Sequence, residues 1–82
     1  MHYTYVLRSV NHPGQSYIGS TANLRQRLAD HNSGKSIHTN KFRPWQIAVY
    51  VAFSRQEQAE RFERYLKSGS GRAFLKKHLW GR

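Results

Sequence analysis

The residues of this chain best suited to chemistry lie in one stretch, residues 17–31, with the sequence YIGSTANLRQRLADH. A short strand at its start carries Tyr17, and the helix after the turn carries Arg27 and His31 on one side. The strand and the helix together therefore place a phenol, a guanidinium and an imidazole near one concave corner. These three groups suit phosphate chemistry better than they suit the core of a small domain.

A further candidate, Glu63, occupies a position that a predicted helix should bury. An apolar helix face has residues at positions i, i+3, i+4 and i+7. This spacing is shared by Ala59, Phe62, Glu63 and Leu66. A carboxylate on such a face must be paired, bound to a metal or placed at its edge, because burying a lone charge is costly. Two interpretations stay open here: a metal ligand, or a structural salt bridge to one of the fourteen basic residues, with Arg27 as a candidate partner.

Two tyrosines and a glycine accompany these groups on a predicted hairpin. Tyr5 and Tyr17 are either ordinary half-buried strand residues, or acid–base groups whose pKa a nearby cation lowers from about 10. Gly19 either permits an unusual turn or lets a phosphate approach the backbone closely. The sequence has no P-loop or dinucleotide fingerprint, no zinc-type spacing among its five histidines, and no cysteine.

Charge is the strongest signal in the composition. Lys and Arg number 14 against 4 Asp and Glu, which gives a formal net charge of +10. Such an excess in a small domain is typical of proteins that bind polyanions, usually nucleic acids, although a merely basic surface or a ribosome-associated protein is the alternative. The basic residues assigned here to nucleic-acid binding, with solvated surface charge as the alternative, are Lys35, Lys41, Arg43, Arg72 and Lys76.

Length and hydropathy predict one cytoplasmic domain comprising residues 1–82. A chain of 82 residues has no room for a second domain, and most of its apolar residues are needed for packing rather than for a deep ligand pocket. No apolar run approaches the roughly 20 residues of a membrane span. The first ten residues do not have the shape of a signal peptide.

The order of the predicted elements defines the fold class. Strands are predicted over residues 2–9, 15–20 and 45–53, and helices over residues 22–32, 55–68 and 72–79. The first two strands form a hairpin, and the almost wholly apolar third strand is expected to be covered on both faces, at least in part. The order β-β-α-β-α-α predicts an α+β fold, a small antiparallel sheet flanked by helices.

Turn and capping residues set the boundaries of the predicted helices. Thr21 is the expected N-cap of the first helix, and Gly34 its C-terminal stop. Ser54 and Glu57 have the spacing of a capping box at the start of the second helix. Residues 69–71, Gly-Ser-Gly, are expected to break the chain between the second and third helices.

In their order along the chain, these motifs resemble the GIY-YIG nucleases, including the N-terminal domains of excision-repair nuclease subunits. Residues 17–19 reproduce the YIG motif, and residues 3–5 stand where GIY belongs, with only Tyr5 matching. The segment LRQRLADHNSG resembles the family helix, with Arg27 at the position of the catalytic arginine and His31 at that of a histidine found in many small members. The resemblance covers nearly the whole chain, from about residue 3 to residue 77.

The resemblance implies a fold and a reaction. The fold is a three-stranded antiparallel sheet with flanking helices, and the reaction is hydrolysis of a nucleic-acid phosphodiester with one divalent metal ion, Mg²⁺ or Mn²⁺. Glu63, which resembles the metal-binding glutamate of the family, would hold that ion. Arg27 would bind the phosphate and stabilise the developing charge. Tyr17, or Tyr5 with it, would position or deprotonate the attacking water, with His31 as a relay.

The sequence departs from the family pattern at two places. Tyr3 and Thr4 replace the glycine and isoleucine of the first motif, and no asparagine follows Glu63 as it does in longer members. Homing and repair members also carry a separate DNA-targeting domain, whereas we expect only a nuclease domain here, with basic loops or a protein partner supplying targeting.

The leading hypothesis is a metal-dependent endonuclease acting on DNA, rather than RNA, in repair or recombination. The alternatives are a non-catalytic nucleic-acid-binding module and a subunit that is inert without its partner. Neither the sequence nor the resemblance distinguishes a monomer from a dimer.

Overall fold

The computed structural model describes residues 1–79, and the positions 80–82 of the predicted domain lie outside the described residues. The α+β fold class and the β-β-α-β-α-α order are confirmed. The elements are β1 (His2–Ser9), β2 (Ser16–Thr21), α1 (Leu24–Ser33), a short 3-10 turn (Asn40–Phe42), β3 (Trp45–Phe53), α2 (Gln56–Lys67) and α3 (Gly69–His78). Within residues 1–79, the helices are too short or too polar to cross a membrane.

The sheet has the order β2-β1-β3, with both pairs antiparallel. The hairpin register places Tyr5 opposite Gly19 and Thr4 opposite Ser20. Opposed residues in an antiparallel pair share a face, and successive residues alternate between faces. The two residues of the first pair therefore point to one face of the sheet, and those of the second pair point to the other.

The strand with both faces covered is β1 rather than β3, so the prediction for the third strand is wrong. Residues 4–7 of β1 are all buried, whereas β3 alternates between half-buried and exposed residues after Trp45. The reason is topological: β1 pairs on both sides and lies between helical layers, while β3 forms an edge of the sheet. Apolar composition alone did not distinguish the central strand from an apolar edge.

Two helical layers enclose the sheet, with one hydrophobic cluster on each side. On the α1 side, Tyr5, Leu7 and Trp45 form a core against which Leu24 and Leu28 pack. On the side of α2 and α3, the core consists of Val6, Leu66 and Leu75. A buried hydrogen bond of 2.6 Å from the Thr4 hydroxyl to the Ala59 carbonyl ties β1 to α2.

The helix boundaries agree with the prediction at Gly34 and differ at the N-caps. Gly34 ends α1 with a φ of 87°, a left-handed conformation that glycine adopts without strain. The N-cap of α1 is Asn23 rather than Thr21, because its side chain accepts from the Gln26 amide at 3.1 Å. Thr21 instead accepts from the Asn23 amide, which shapes the turn before the helix.

The predicted capping box at the start of α2 is absent. The helix begins one residue later than expected, so that Arg55, which makes no side-chain cap bond, occupies the N-cap position. Ser54 then lies outside the helix, and its hydroxyl contacts Gln58 at 3.4 Å. The Glu57 carboxylate pairs with Arg55 at 3.0 Å instead of reaching back to the cap.

The break between α2 and α3 is one residue, Ser68, and not the predicted Gly-Ser-Gly segment. Ser68 is extended, and its hydroxyl accepts from the Gly71 amide at 3.2 Å, which caps α3. Gly69 and Gly71 are both part of α3. Gly71 is buried against the end of α2, where a side chain would collide with the Tyr65 carbonyl. This glycine therefore allows two helices to approach closely.

Candidate active site

Four of the predicted catalytic residues converge on the α1 side of the sheet. Tyr5 lies in the central strand, Tyr17 in the neighbouring edge strand, and Arg27 and His31 on the facing side of α1. The Tyr17 and His31 rings have centroids 4.8 Å apart, and those of Tyr5 and Tyr17 are 6.3 Å apart. The structure thus brings together the phenol, guanidinium and imidazole groups that the spacing of residues 17–31 predicted.

A buried chain of polar groups runs from Tyr5 through His31 to Thr39. The Tyr5 hydroxyl lies 3.0 Å from Nε2 of His31, and Nδ1 lies 2.8 Å from the Thr39 hydroxyl. A neutral imidazole donates from one ring nitrogen and accepts at the other, while each hydroxyl can do both. A proton can therefore pass between Tyr5 and His31 without exposing either side chain, since all three residues are buried.

Burial sets the protonation states of this chain. It raises the pKa of the Tyr5 hydroxyl, with the Arg27 guanidinium acting in the opposite direction and the charges of Tyr17 and Glu63 adding to the rise. Burial likewise lowers the pKa of His31, and the nearby Arg27 cation lowers it further. Tyr5 is therefore a neutral phenol and His31 a neutral imidazole at neutral pH, so the imidazole is able to accept a proton.

Arg27 is the cation of the site. Its guanidinium interacts first with the Tyr5 hydroxyl and also with the Tyr17 hydroxyl, and these contacts raise its pKa despite partial burial. The side chain is half-buried, so part of the guanidinium remains open to solvent. A cation held between two phenols and open on one side is suited to binding a phosphate oxygen.

Gly19 lies within β2 rather than at its end, and it is buried. A Cβ placed on it would lie 2.6 Å from the Tyr5 hydroxyl and 3.1 Å from the Tyr17 ring. The space over this glycine is thus filled by the two tyrosines, which gives a packing reason for the residue in place of the expected turn. A contact between Gly19 and nucleic acid stays a prediction.

Glu63 lies on α2, on the opposite side of the sheet from His31, and reaches the edge strand through Ser20. Its Oε1 accepts from the Ser20 hydroxyl at 2.7 Å, and its Oε2 from Nζ of Lys67 at 2.8 Å. Burial alone would raise the pKa of this carboxyl, but the bonds from Lys67 and Ser20 and the charge of Arg64 outweigh it and lower the pKa. The salt-bridge partner is therefore Lys67, and the suggestion of Arg27 is wrong.

The groups around Glu63 fit a weakly held hard cation better than a fully enclosed metal site. Within residues 1–79, no three His, Asp or Glu side chains come together to form a metal cluster. A Mg²⁺ or Mn²⁺ ion commonly uses one or two carboxylates together with water and substrate phosphate, and the half-exposed Glu63 can supply one carboxylate. The ammonium of Lys67 now binds the Oε2 oxygen that such an ion would need.

The predicted nucleic-acid-binding residues fall into two groups. Three lie between α1 and β3: Lys35 pairs with Asp30 at 3.6 Å, Lys41 lies 5.5 Å from the centre of the Phe42 ring, and the exposed Arg43 lies over Gly34. The other two, Arg72 and Lys76, are exposed on α3. The five cations therefore lie on either side of the site rather than within it, and their contacts with nucleic acid stay predictions.

Sequence analysis assigned no role to Thr39, Ser20 and Lys67, which the structure places in direct contact with candidate residues. Thr39 lies between the predicted helix 22–32 and the predicted strand 45–53, yet it is buried against His31 and its carbonyl accepts from the Trp45 indole. Nothing in the local pattern around Thr39 indicates this. Lys67 is different, because its position four residues after Glu63 is the spacing of a helical ion pair.

The buried neutral His31 predicts a pH dependence of stability. Its pKa in the folded protein is lowered below the unfolded value of about 6.5, so the unfolded state binds more protons as the pH falls. The contribution of His31 to the free energy of unfolding is complete above the unfolded pKa. It is lost as the pH decreases through the pKa of His31 in the folded protein. We expect the free energy of unfolding, measured by urea titration, to decrease between about pH 7.5 and pH 5.5.

The matched variants for this measurement are His31→Gln and His38→Gln. The first removes the buried imidazole, and the second removes an exposed one. His38→Gln should keep the wild-type pH dependence, while His31→Gln, although less stable at every pH, should show a much flatter profile. An unchanged slope in His31→Gln would contradict the assignment of that slope to His31.

Comparison with known proteins identifies the family. Residues 1–77 match the family described as the GIY-YIG catalytic domain. The structure-specific endonuclease subunit SLX1 of Debaryomyces hansenii is 41% identical over 70 residues, covering 77% of this chain and 20% of that protein. The UPF0213 protein in the ldhD 5′ region of Pediococcus acidilactici is 41% identical over 63 residues, covering 73% of this chain and 64% of that protein. The matches thus span about a fifth and just under two thirds of these relatives.

A solved structure shows the same fold. The solution NMR structure of a UPF0213 protein from Bacillus halodurans superposes with a TM-score of 0.56 at 30% identity, covering 98% of this chain and 86% of that one. Together with the family match over residues 1–77, this likeness confirms the resemblance carried by the YIG motif and the helix after it. The chain belongs to the GIY-YIG family of nuclease domains.

Proposed function

We propose that this protein is a metal-dependent endonuclease that hydrolyses phosphodiester bonds in DNA. The observation that carries the proposal is the buried bond of 3.0 Å between the Tyr5 hydroxyl and His31, with the half-exposed Arg27 guanidinium close enough to act on the pKa of that hydroxyl. A phosphate-binding cation and a group able to accept a proton therefore meet at one point. A merely structural core has no need of a half-exposed arginine beside a buried phenol–imidazole pair.

Arg27 binds the phosphate in the proposed mechanism. Its guanidinium lies near the Tyr5 and Tyr17 hydroxyls, which raise its pKa, and the side chain is partly open to solvent. A guanidinium at this position stabilises the extra negative charge that develops on the phosphate oxygens as water attacks.

The proton of the attacking water passes along the buried chain. Burial keeps Tyr5 protonated, so it acts as a relay that gives its proton to His31 while it receives one from the water. Thr39 bonds the other ring nitrogen and holds the imidazole in place. Tyr17, whose ring packs on His31 without a hydrogen bond between them, positions the water.

Glu63 is the proposed ligand for the metal, which would neutralise phosphate charge and assist departure of the leaving oxygen. Ser20 fixes one carboxylate oxygen. This contact ties the carboxylate on α2 to β2, the strand that also carries Tyr17. A Mg²⁺ or Mn²⁺ ion is the proposed cofactor, because both prefer oxygen ligands.

The proposed substrate is DNA, contacted by the basic residues on either side of the site. The net charge of +10 favours binding to a polyanion in general. The relative from Debaryomyces hansenii is named a structure-specific endonuclease subunit, which supports branched DNA as a substrate and a protein partner that supplies targeting. A role in repair or recombination is part of the same proposal.

The proposal is tested by incubating the protein with plasmid, single-stranded and branched DNA in the presence of Mg²⁺ or Mn²⁺. We expect nicking or cleavage that EDTA abolishes and that added metal restores. The matched sample is the Arg27→Ala variant, in which the phosphate-binding cation is missing while the exposed cations remain. Binding of labelled DNA is measured on the same samples by fluorescence anisotropy.

Two results would contradict the proposal. Cleavage that continues undiminished in EDTA would exclude a requirement for a metal ion. Equal cleavage by wild type and Arg27→Ala would exclude Arg27 as the phosphate-binding group of the reaction. If the wild type binds DNA in a salt-sensitive manner but cuts none of the three substrates with either metal, with or without a candidate partner, the protein is instead a non-catalytic binding module. Cleavage that appears only when a candidate partner is added would support the partner-dependent subunit.

A further inference from the structure

A cavity of about 480 Å³ opens beside β2, between the hairpin and the α2–α3 junction. One wall consists of residues 14–18 and so includes Tyr17, and the other carries Lys67, Arg72 and Leu75. The cavity therefore has two cations on its α2–α3 wall, and it lies on the face of the sheet opposite the Tyr17 ring, which packs with the α1-side core. A phosphate group of a bound strand is the ligand that such a lining favours.

Lys67 belongs both to this cavity and to the Glu63 carboxylate. Its ammonium lies 2.8 Å from Oε2 of Glu63, and its side chain is 51% exposed. An ion pair of two residues on the surface of one helix contributes little to stability, so its partners exchange readily for others. Moving the ammonium from the carboxylate toward the cavity requires only rotation of the long lysine side chain.

We propose that Lys67 is a switch that couples nucleic-acid binding to metal binding at Glu63. Without nucleic acid, the ammonium neutralises the Glu63 carboxylate and occupies the oxygen that a divalent cation would use. A strand phosphate entering the cavity beside Arg72 draws Lys67 away and releases that oxygen for the cation. This inference rests on the proposed function, since it takes Glu63 as the metal ligand.

Electrostatics give the switch its direction. An ammonium and a divalent cation cannot share Oε2 of Glu63, because they are like charges within a few ångströms of each other. Without phosphate, the Lys67 ammonium binds the Glu63 carboxylate. A phosphate bound in the cavity beside Arg72 is a competing anion, and it draws the ammonium away from Glu63. By linkage, a metal held at Glu63 must also favour phosphate binding by Lys67 to the same degree.

The test measures Mn²⁺ affinity by electron paramagnetic resonance of the unbound ion, with and without a short single-stranded DNA. All samples carry Arg27→Ala, so that the strand is not cut. Lys67→Met removes the ammonium but keeps the apolar stem, and Lys77→Met is the matched control on the exposed end of α3. Circular dichroism melts establish that each variant is folded.

Without DNA, Lys67→Met should bind Mn²⁺ at least about threefold more tightly than its parent, because a competing cation has gone. With saturating DNA the two affinities should converge, since the parent's Lys67 has then left Glu63. Lys77→Met should match the parent in both conditions.

Equal Mn²⁺ affinities without DNA would overturn the inference, because Lys67 would then not compete with the metal. A difference that persists unchanged with DNA would overturn it too, because phosphate would then not move Lys67. Failure of the proposed function is recognised by a separate variant, in which Glu63→Ala is added to Arg27→Ala. If this variant binds Mn²⁺ as tightly as its parent, Glu63 is not the metal ligand.

Discussion

Replacing Glu63 by alanine should lower the rate of DNA cleavage about a thousandfold, because the only proposed protein ligand of the metal is removed. DNA binding should remain within about a factor of two, because a negative charge near the phosphate path is lost and no cation is removed. The fold should survive, since Glu63 is half-exposed and both of its partners, Ser20 and Lys67, can turn to water. Cleavage is followed by plasmid nicking with Mg²⁺, and binding by anisotropy.

The matched control for Glu63→Ala is Glu57→Ala on the same helix. Glu57 is exposed in the first turn of α2, and its carboxylate pairs with Arg55 at 3.0 Å. The control removes the same charge from the chain but leaves the site untouched, so cleavage should stay at the wild-type level. Equal cleavage by wild type and Glu63→Ala would exclude the carboxylate from the reaction, whatever the role of the rest of the site.

The arrangement of Tyr17, Arg27 and His31 could be predicted from the sequence because it depends on local geometry alone. A strand that runs directly into a helix fixes the distance between its last residues and the first turns of that helix. Spacing of four residues then fixes Arg27 and His31 on one side of α1. Tyr5 was within reach of prediction as well, because consecutive antiparallel strands with a turn sequence between them predict a hairpin, and its register places Tyr5 opposite Gly19.

The contacts that complete the site could not be predicted, because they join segments far apart in the chain. Thr39 reaches His31 only because the connection between α1 and β3 folds back over α1. Ser20 reaches Glu63 across 43 positions of sequence, from the sheet to the second helical layer. Each contact depends on how helices and loops pack on the sheet, and no local pattern of residue types records that packing.

At the α2–α3 junction, too, the role of the glycines could not be predicted from the local sequence. Gly-Ser-Gly in a sequence is a good signal for a helix break, since glycine gives the backbone freedom. Here one extended residue, Ser68, makes the break, and both glycines are helical. One of the two is buried because another helix passes directly over it, and that requirement arises only once α2 and α3 are packed together.

Gly71→Ala should therefore be strongly destabilising. A Cβ at this position would overlap the Tyr65 carbonyl oxygen and the Leu66 Cα, and backbone atoms cannot move aside as a flexible side chain does. Overpacking of this kind, with Leu75 of α3 displaced from its core partners Val6 and Leu66, is expected to cost about 3 kcal/mol. For a domain of this size that corresponds to a fall of roughly 15 °C in the melting temperature.

Gly69→Ala is the matched substitution, two residues earlier in the same helical turn. A Cβ at Gly69 meets nothing within 4 Å, and the backbone there does not have a positive φ. Alanine has the higher helix propensity and restricts the unfolded chain, so this variant should melt at or slightly above the wild-type temperature. If both variants lose stability equally, glycine is needed at this junction for backbone freedom. A loss confined to Gly71→Ala shows instead that close contact between α2 and α3 fixes the residue, and with it the positions of Lys67 and Arg72 beside the cavity.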